Sequence, residues 1–509
     1  MERWVCLHGH FYQPPRENPW LEAIELQDSA RPYHDWNERV TAECYAPNAS
    51  ARILDGAGRI ARIVNNYARI SFNFGPTLLS WLAAHDAPTY GAILAADRAS
   101  RERFGGHGSA LAQAYGHAIL PLCNERDRET QVRWGVRDFE WRFGRKPEGM
   151  WLPETAVDLA TLETLARAGL RFTLLSPTQA ARTRPLGATE WQDVAGGRVD
   201  PRRPYRVALP SGAEIVVFFY DGAIAHAIAF GGLLASGEEL VRRLLASPAG
   251  LVHVATDGET YGHHHRFGEM ALAWALDDLE TQRRARLTNY GEFLERHPPT
   301  HEVEIRERTA WSCAHGLGRW SRDCGCAVDP ASGFTQAWRA PLREALDGLR
   351  DALAPRWETT AARWLTDPWA ARDAYVDRLL DPSPSATDAF LARWGRGALA
   401  PAERTTVLEL LELQRHALLM YTSCGWFFDE LSGLEPTQVL QYATRTIELA
   451  EKLWNEPFEP AFVERLARAP SNIAEYGDGR GVWERRVRPA RAGLAQIGAN
   501  ATAGLLFGE

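Results

Sequence analysis

Short runs of apolar residues recur through the first three hundred positions of the chain, and helical patterns separate several of them. The runs are continuous and rich in β-branched and aromatic residues, which is typical of strands buried on both faces. One unit is especially clear, because a helical stretch ends at Gly169 and an apolar run follows at once. Alternating strands and helices predict a parallel α/β sheet, either open or closed into a barrel. The predicted strands begin at Arg3, Arg69, Gly149, Arg171, Glu214 and Leu251.

The pattern changes after about Trp311, where amphipathic helices replace the strand-like runs. In the stretch PTQVLQYATRTIELAEKLW, apolar residues recur at helical spacing from Val439 to Trp454. We therefore predict an α/β domain over residues 1–305 and a helical domain over residues 306–509. No long low-complexity linker separates them, so we expect the two domains to pack closely.

Composition narrows the functional classes. The chain has 509 residues and a net charge of −8, which argues against general binding to nucleic acid or to anionic membranes. Its 19 tryptophans suit either a packed core or a cleft in which sugar rings stack on indoles. The beginning MERWVCLHGHF lacks a signal-peptide pattern, and no run approaches about 18 apolar residues, so we expect neither a leader nor a transmembrane helix. Seven scattered cysteines, an odd number, favour a reducing compartment, and we expect a cytoplasmic protein.

Polar side chains follow several of the predicted strands, where functional groups collect in parallel α/β folds. Each could be structural on its own, because a histidine on a strand is usually a core residue and a glutamate after proline usually starts a helix. Their common position at strand ends favours a shared site. The residues are His8, His10, His117, Glu154, Asp221, Asp257 and Glu259.

Two carboxylates on facing strand ends suit glycoside cleavage, in which one attacks the anomeric carbon and the other transfers a proton. We predict that Glu154 and Asp257 form this pair, with carboxyl groups about 5–5.5 Å apart. Donors such as His10 would keep Glu154 ionised, and the charge of Glu259 would help to keep Asp257 protonated.

The same stretches resemble glycoside hydrolase family 57. HGHFYQPP is similar to the N-terminal histidine motif of that family, MWLPETA to its nucleophile motif and TDGETYGHH to its acid/base motif. HAILPL, followed by FEWRFGRKPEG, resembles the segment that leads into the nucleophile motif, and SCGWFFDE resembles part of its helical region. The resemblance implies an incomplete seven-stranded (β/α) barrel, followed by a helical bundle domain that packs over the active-site cleft.

The resemblance also implies an activity and assigns roles to residues. It implies retaining action on α-glucans or malto-oligosaccharides, with amylase, 4-α-glucanotransferase, branching or α-galactosidase-type chemistry, without a cofactor. Glu154 would be the nucleophile and Asp257 the acid/base. The expected substrate-binding residues are His8, His10, His117, Asp221, Glu259, His263, Trp320, Trp426 and Trp151, the tryptophan that precedes Leu152.

The chain departs from the best-known members in two places. It carries three consecutive histidines, His263 to His265, after the acid/base motif, and we interpret them as loop residues rather than metal ligands. It also carries the insert WSCAHGLGRWSRDCGC, whose Cys313, His315, Cys324 and Cys326 could form a zinc set. Because the spacing differs from common zinc knuckles, we favour buried thiols and predict no metal.

Two other functions stay open. A metal-dependent polysaccharide deacetylase or mannosidase-like barrel also has histidine and aspartate at strand ends, but HGHFYQ offers no aspartate beside its histidines. Activity that EDTA removes and zinc restores would favour that class. A non-catalytic glucan-binding protein would bind malto-oligosaccharides without turnover, although both carboxylates are in place.

Overall fold

A computed structural model describes residues 2–493, 498, 499 and 502, and the chain divides into two compact units. The strand-rich unit contains Met1–Gln13 and Gln27–Gly316, and the helical unit contains Pro14–Leu26 and Leu317–Glu509. The division therefore falls after Gly316 rather than after residue 305. No helix among the described residues is long and apolar enough to cross a membrane.

All six predicted strands are present in the strand-rich unit, together with shorter strands that the apolar pattern did not indicate. The strands are β1 (Arg3–Phe11), β2 (Ala51–Leu54), β3 (Ile60–Val64), β4 (Ser71–Phe74), β5 (Ala112–Gln113), β6 (Met150–Trp151), β7 (Phe172–Leu175), β8 (Ala180–Pro185), β9 (Gln192–Asp193), β10 (Tyr205–Ala208), β11 (Glu214–Phe219), β12 (Gly250–Asp257), β13 (Arg286–Leu287) and β14 (His301–Ile305).

Parallel contacts connect the main strands in chain order. β1 pairs with β4 and β12, β5 pairs with β6, and β7 pairs with β11. Parallel bridges join Phe72 to Ala110, between β4 and β5, and Gly149 to Phe172, between β6 and β7. The backbone N–H of Asp221, just after β11, donates to the carbonyl of His253 in β12 (2.8 Å). Because these strands are parallel, their carboxyl ends share one edge, which brings the residues that follow them together.

Antiparallel strands extend the sheet beyond this parallel set. The order β7–β11–β10–β14–β8–β9 makes one six-stranded sheet, in which β10 runs antiparallel to β11 and β14 antiparallel to β8. The predicted α/β class is confirmed, with an antiparallel extension that the sequence did not indicate.

Helices separate the strands and cover the sheet. The helix after Glu154 begins where the side chain of Asp158 accepts a hydrogen bond from the N–H of Thr161, and it ends just before Gly169, whose φ is +80°. The helices of this unit are α1 (Trp36–Val40), α2 (Ala46–Ala49), α3 (Pro76–His85), α4 (Ala87–Arg103), α5 (Glu125–Phe143), α6 (Leu159–Arg167), α7 (Gly222–Ala229), α8 (Gly237–Ala246), α9 (Gly268–Thr281) and α10 (Tyr290–Arg296).

The helical unit has no strand among its described residues, as predicted. Val439, Leu440, Ala443 and Ile447 are buried on one face of its long helix α16, which explains the apolar spacing in the sequence. The helices are α11 (Arg339–Ala361), α12 (Pro368–Ala374), α13 (Val376–Leu380), α14 (Pro384–Trp394), α15 (Pro401–Leu419), α16 (Leu434–Trp454), α17 (Glu459–Leu466) and α18 (Gly479–Val482).

The segment Pro14–Leu26 lies early in the chain but belongs to the helical unit. The indole N–H of Trp20 donates to Glu448, and the amide of Asn18 donates to the carbonyl of Ala490 (3.0 Å). The amide of Gln438 donates to the carbonyl of Glu17 (2.8 Å). These polar contacts are specific to a few side chains, so the apolar pattern could not indicate them.

Candidate active site

The predicted site residues lie where parallel strands end. His8 and His10 belong to the last part of β1, Glu154 comes three residues after β6, and Asp257 is the last residue of β12. Residue 10 is in register with residue 257 in the pairing of β1 with β12. The strand topology thus places these groups at one edge, as the sequence predicted.

Glu154 lies in a tight turn with an unusual backbone conformation. Its φ and ψ are 58° and 21°, and the next residue, Thr155, has a φ of 50°. Left-handed conformations cost a non-glycine residue about 1–2 kcal/mol, and more is expected of a β-branched threonine. Strain of this kind persists where surrounding contacts over-determine the backbone, and it is common at functional sites.

The side chain of Gln179 holds this turn in place. Its Nε2 donates to the carbonyls of Thr155 (2.8 Å) and Thr309 (3.1 Å), and its Oε1 accepts from the Thr155 hydroxyl (2.9 Å). The same Oε1 accepts from the N–H of Ser176 (2.9 Å). Gln179 is fully buried, so these bonds are shielded from water and the turn is fixed from two sides.

Two donors from the segment after β14 meet one oxygen of Glu154. The indole Nε1 of Trp311 (2.9 Å) and the hydroxyl of Ser312 (2.6 Å) both donate to Oε2. The backbone N–H of Trp311 donates to the Glu154 carbonyl (3.1 Å). Hydrogen bonds to a carboxylate favour its ionised form, which a nucleophile requires. The sequence pointed to His10 for this role and missed both donors.

Asp257 has the opposite electrostatic setting. The side chain of Asp257 is exposed at the surface of the site, but many protein atoms lie around its carboxyl group. The resulting desolvation raises the pKa of Asp257 well above its usual value. The negative charges of Glu259 and Glu154 raise the pKa further. The two predicted catalytic carboxylates are therefore close enough to interact, and this interaction favours the protonated form of Asp257.

Glu259 is buried beneath the site and is held by two donors. Its Oε1 accepts from the N–H of Tyr12 (2.9 Å) and from the hydroxyl of Tyr45 (2.5 Å). Desolvation raises the pKa of Glu259 to about 7, although these hydrogen bonds act in the opposite direction. The structure supports the predicted influence of Glu259 on Asp257; its contact with a substrate stays a prediction.

Rings of the first two motifs form a buried stack. His8 and His10 both stack on Trp151, with ring centroids 4.9 and 5.0 Å apart. His8 hydrogen bonds to the hydroxyl of Ser71 (2.9 Å) and the amide oxygen of Asn73 (3.1 Å). Burial is the largest of the effects that lower the pKa of each histidine to about 3, so both are neutral near pH 7. His8 and Trp151 are fully buried, which makes them supports for the site.

His117 extends the stack from the loop after β5. It lies over the ring of Tyr12, with centroids 3.8 Å apart, and its Nε2 is 3.2 Å from the Nε2 of His10. Burial, together with His10, lowers its pKa well below the usual value. With a φ of 53°, His117 is a third non-glycine residue in the left-handed region at this site, besides Glu154 and Thr155.

Asp221 and His263 have structural partners. Asp221 caps α7, because its Oδ1 accepts from the N–H groups of Ala223 and Ile224 (3.0 Å each). The Nδ1 of His263 pairs with Glu43. Their predicted contacts with a substrate stay predictions.

Trp320 and Trp426 are the predicted residues that the structure places elsewhere. Both are fully buried in the helical unit, so the prediction that at least one is exposed for sugar stacking is wrong. The Nε1 of Trp426 donates to the carbonyl of Arg339 (3.1 Å), and the guanidinium of Arg343 lies 4.4 Å from its ring. Burying a large apolar ring stabilises the fold, and here core packing took precedence.

Two family models match the chain. Residues 106–306 match Glycosyl hydrolase family 57, and residues 334–509 match a Domain of unknown function (DUF3536). No curated protein matches the chain.

Solved structures share the fold at low sequence identity. An exo-type maltose-forming amylase from Pyrococcus sp. ST04 has a TM-score of 0.67 and 16% identity, over 98% of this chain and 94% of that one. A family 57 branching enzyme from Thermococcus kodakaraensis has a TM-score of 0.54 and 16% identity, over 97% and 96%. The α-amylase AmyC from Thermotoga maritima has a TM-score of 0.55 and 12% identity, over 97% and 100%.

Fold and site together define an α/β protein whose paired carboxylates lie at the ends of parallel strands. The predicted resemblance is confirmed, since the segment 106–306 that matches the model of Glycosyl hydrolase family 57 contains both carboxylates and the turn that carries Glu154.

Proposed function

We propose that the protein is a retaining glycoside hydrolase or transglycosylase that acts on α-glucans by double displacement. The observation that carries the proposal is the opposite setting of two interacting carboxylates. Glu154 receives two hydrogen bonds on one oxygen, whereas desolvation and neighbouring charge raise the pKa of Asp257. Groups whose surroundings separate their pKa values in this way divide the roles of nucleophile and acid. We also infer that the connected parallel strands form the incomplete seven-stranded barrel predicted from the family.

In the first half-reaction, the carboxylate of Glu154 attacks the anomeric carbon while Asp257 donates its proton to the departing glycosidic oxygen. The C–O bond to the leaving sugar breaks as the ester bond to Glu154 forms. In the second, the ionised Asp257 takes a proton from the acceptor hydroxyl, which attacks the anomeric carbon and releases Glu154. The acceptor decides the outcome: water gives hydrolysis, and a sugar hydroxyl gives transfer.

The α-glucan substrate is proposed from the family and from similar structures. The similar proteins are a maltose-forming amylase, a branching enzyme and an α-amylase, and the family match covers the carboxylate-bearing segment. The neutral histidines suit this chemistry, because they add no positive charge beside the anomeric carbon.

Chromatography of the products formed from amylose and malto-oligosaccharides tests the activity. Rising reducing ends indicate hydrolysis, redistributed chain lengths indicate transfer, and new α-1,6 bonds indicate branching. Glu154→Gln should abolish turnover of every substrate. Glu148→Gln is the matched control, because Glu148 pairs with His107 and Arg171 outside the site. Unchanged products after Glu154→Gln would contradict the proposal.

Azide distinguishes the two roles by product configuration. Asp257→Ala should still form the glycosyl-enzyme from activated aryl α-glycosides, whose leaving groups need little protonation. Azide should then attack that intermediate and give the α-glycosyl azide. With Glu154→Ala, azide would replace the nucleophile and give the β-glycosyl azide. The reverse pattern of configurations would show that the roles are exchanged.

A further inference from the structure

A cluster of three cysteines and one histidine lies in the segment that directly follows Ser312. One possible ligand atom from each of Cys313, His315, Cys324 and Cys326 lies within 4.8 Å of the others. All four residues come from one continuous stretch of the chain, so the cluster follows from the local folding of that stretch. The spacing in the sequence favoured buried thiols, but the structure brings the four side chains to one point.

We propose that these four side chains bind one structural Zn²⁺, and that the metal holds the segment 311–326 in the conformation that presents Trp311 and Ser312 to Glu154. Three thiolates and one imidazole are a common structural zinc set, and four protein ligands leave no open position for catalysis.

The distances fit a tetrahedral ion. With Zn–S bonds of about 2.3 Å and Zn–N bonds of about 2.0 Å, neighbouring ligand atoms lie roughly 3.5–3.8 Å apart. The observed upper limit of 4.8 Å requires the side chains to contract by about 1 Å at most. Rotation of exposed or half-buried side chains such as His315 and Cys326 can supply that movement.

The backbone between the ligands is shaped by two glycines. Gly316 has a φ of +75°, and a Cβ there would lie 2.5 Å from the carbonyl oxygen of Arg308. Its N–H donates to the carbonyl of Cys313 (3.2 Å), which closes a turn around His315. Gly325, between the last two cysteines, has a φ of +73°. Only glycine adopts these conformations readily, so the turns that gather the ligands are built into the sequence.

A buried cation lies next to the last ligand. Three thiolates and a neutral imidazole around Zn²⁺ carry a net charge of −1, which is costly to bury without compensation. The side chain of Arg339 is fully buried, and its Nη1 donates to the carbonyl of Cys326 (2.9 Å). A buried guanidinium beside the cluster supplies that compensation.

The position of the cluster gives it a consequence for the active site. Cys313 directly follows Ser312, and Trp311 precedes both, so a metal bound at Cys313 limits the movement of the two donors. This consequence rests on the proposed role of Glu154, whereas the metal site itself does not.

Metal analysis of the purified full-length protein tests the site. We expect about one zinc per chain, and a thiol-specific mercurial should release that zinc as it titrates the cluster. Cys326→Ser should lose most of the metal, and Cys424→Ser, which changes a half-buried thiol outside the cluster, should keep it. His315→Cys should retain zinc with four thiolates, whereas His315→Ala should bind it more weakly. Protein that takes up no zinc, or Cys326→Ser with as much zinc as the parent, would overturn the site.

Cobalt and activity give independent readouts. Co²⁺ bound in place of zinc should show the intense visible bands of a tetrahedral thiolate site, and these bands should change in His315→Cys. Zinc removal should lower kcat with a smaller change in KM, because the donors to Glu154 lose their support. Active protein that never binds zinc would overturn the metal site alone. Zinc-bound protein that turns over no α-glucan would overturn the proposed function and leave the metal site intact.

Discussion

The two donors to Glu154 are the side chains whose removal acts most directly on the nucleophile. Ser312→Ala deletes the shorter of the two bonds, and a hydrogen bond to a charged group contributes about 1.5–3 kcal/mol. We expect kcat/KM to fall by roughly tenfold or more, since about 1.4 kcal/mol corresponds to a factor of ten. Steady-state kinetics on malto-oligosaccharides measures the change.

Ser321→Ala is the matched control for that variant. Its hydroxyl donates to the carbonyl of Leu317 (3.0 Å) rather than to the carboxylate. It should therefore leave kcat/KM within about twofold of the parent, in line with the loss of a neutral hydrogen bond outside the site. Equal losses in the two variants would show that Ser312 acts through general stability.

Glu259 should set the alkaline limit of activity. Glycosylation needs protonated Asp257, so the rate falls as pH rises through the pKa of Asp257. The negative charge of Glu259 helps to raise that pKa, and Glu259→Gln removes the charge while it keeps an oxygen for Tyr12 and Tyr45. The alkaline limb of the kcat/KM profile should therefore move to lower pH.

The pH at which this effect appears follows from Glu259 itself. Because desolvation raises its pKa to about 7, Glu259 becomes fully charged only above that pH, and the parent and the variant should differ most there. Glu269→Gln is the control, since Glu269 is a buried carboxylate of α9 that does not contribute to the shift at Asp257. A limb that moves to higher pH in Glu259→Gln would contradict this assignment.

At the scale of single residues, the sequence predicts which carboxylates belong to the site better than it predicts which side chains surround them. Glu154 and Asp257 could be selected because two carboxylates that follow parallel strands favour a shared site, and because the motifs around them resemble those of a known family. Trp320 and Trp426 could not be separated from core residues, because an indole suits a core as well as a cleft. Ser312 carried no signal, since a single serine in a loop is common and its partner lies 158 positions away.

At the scale of elements, the turn that carries Glu154 depends on Gln179. Gln179→Ala removes the bonds to Thr155, Thr309 and the N–H of Ser176, and it leaves buried backbone groups without them. Each such group costs about 1–3 kcal/mol, and the strained turn should relax. We expect a melting temperature lower by several degrees and a fall in kcat of at least tenfold, measured by thermal unfolding and kinetics.

Thr178→Ala, at the neighbouring position, is the control for Gln179→Ala. Thr178 is exposed, and its hydroxyl contacts Ser176 without reaching the turn. Both the melting temperature and kcat should stay close to the parent values. If Gln179→Ala lowered the melting temperature and left kcat unchanged, the turn geometry would not depend on Gln179.

The elements that the sequence predicted are those with the strongest apolar signal. β1, β11 and β12 are buried over most of their length, so continuous apolar runs identify them. The antiparallel β8 and β14 contain charged residues within the strand and pair through ion pairs such as Arg184–Glu302, which hides them from a search for continuous apolar runs. β6 has only two residues, which is too short for an apolar run to identify it, and the motif MWLPETA indicated its position instead.

At the scale of the whole molecule, the division of the chain was predicted with one omission. The predicted boundary fell after residue 305, and the strand-rich unit ends eleven residues later, at Gly316. The extra residues include Trp311 and Ser312, which therefore belong with the nucleophile. The segment Pro14–Leu26 was assigned to the wrong unit because chain proximity to β1 was the only guide.

The contacts that anchor Pro14–Leu26 lead to a prediction about the helical unit. Trp20→Ala removes the indole that donates to Glu448 on α16, and the segment should detach from that helix. Lost contacts of about 1–2 kcal/mol should speed amide hydrogen exchange in peptides from residues 434–454 by roughly tenfold. Exchange in peptides from β4 of the strand-rich unit should not change, although Trp20 is nearer to them in sequence.

Trp36→Ala, in the strand-rich unit, is the control for Trp20→Ala. Its indole donates to the hydroxyl of Ser29 (2.9 Å), and both residues belong to the strand-rich unit. It should leave exchange in 434–454 unchanged, which separates a specific anchor from the general effect of losing a tryptophan. Faster exchange in β4 together with protected α16 in Trp20→Ala would mean that Pro14–Leu26 supports the strand-rich unit instead. Because stability differs between units that open separately, hydrogen exchange resolves this outcome, whereas a single melting temperature would average over both.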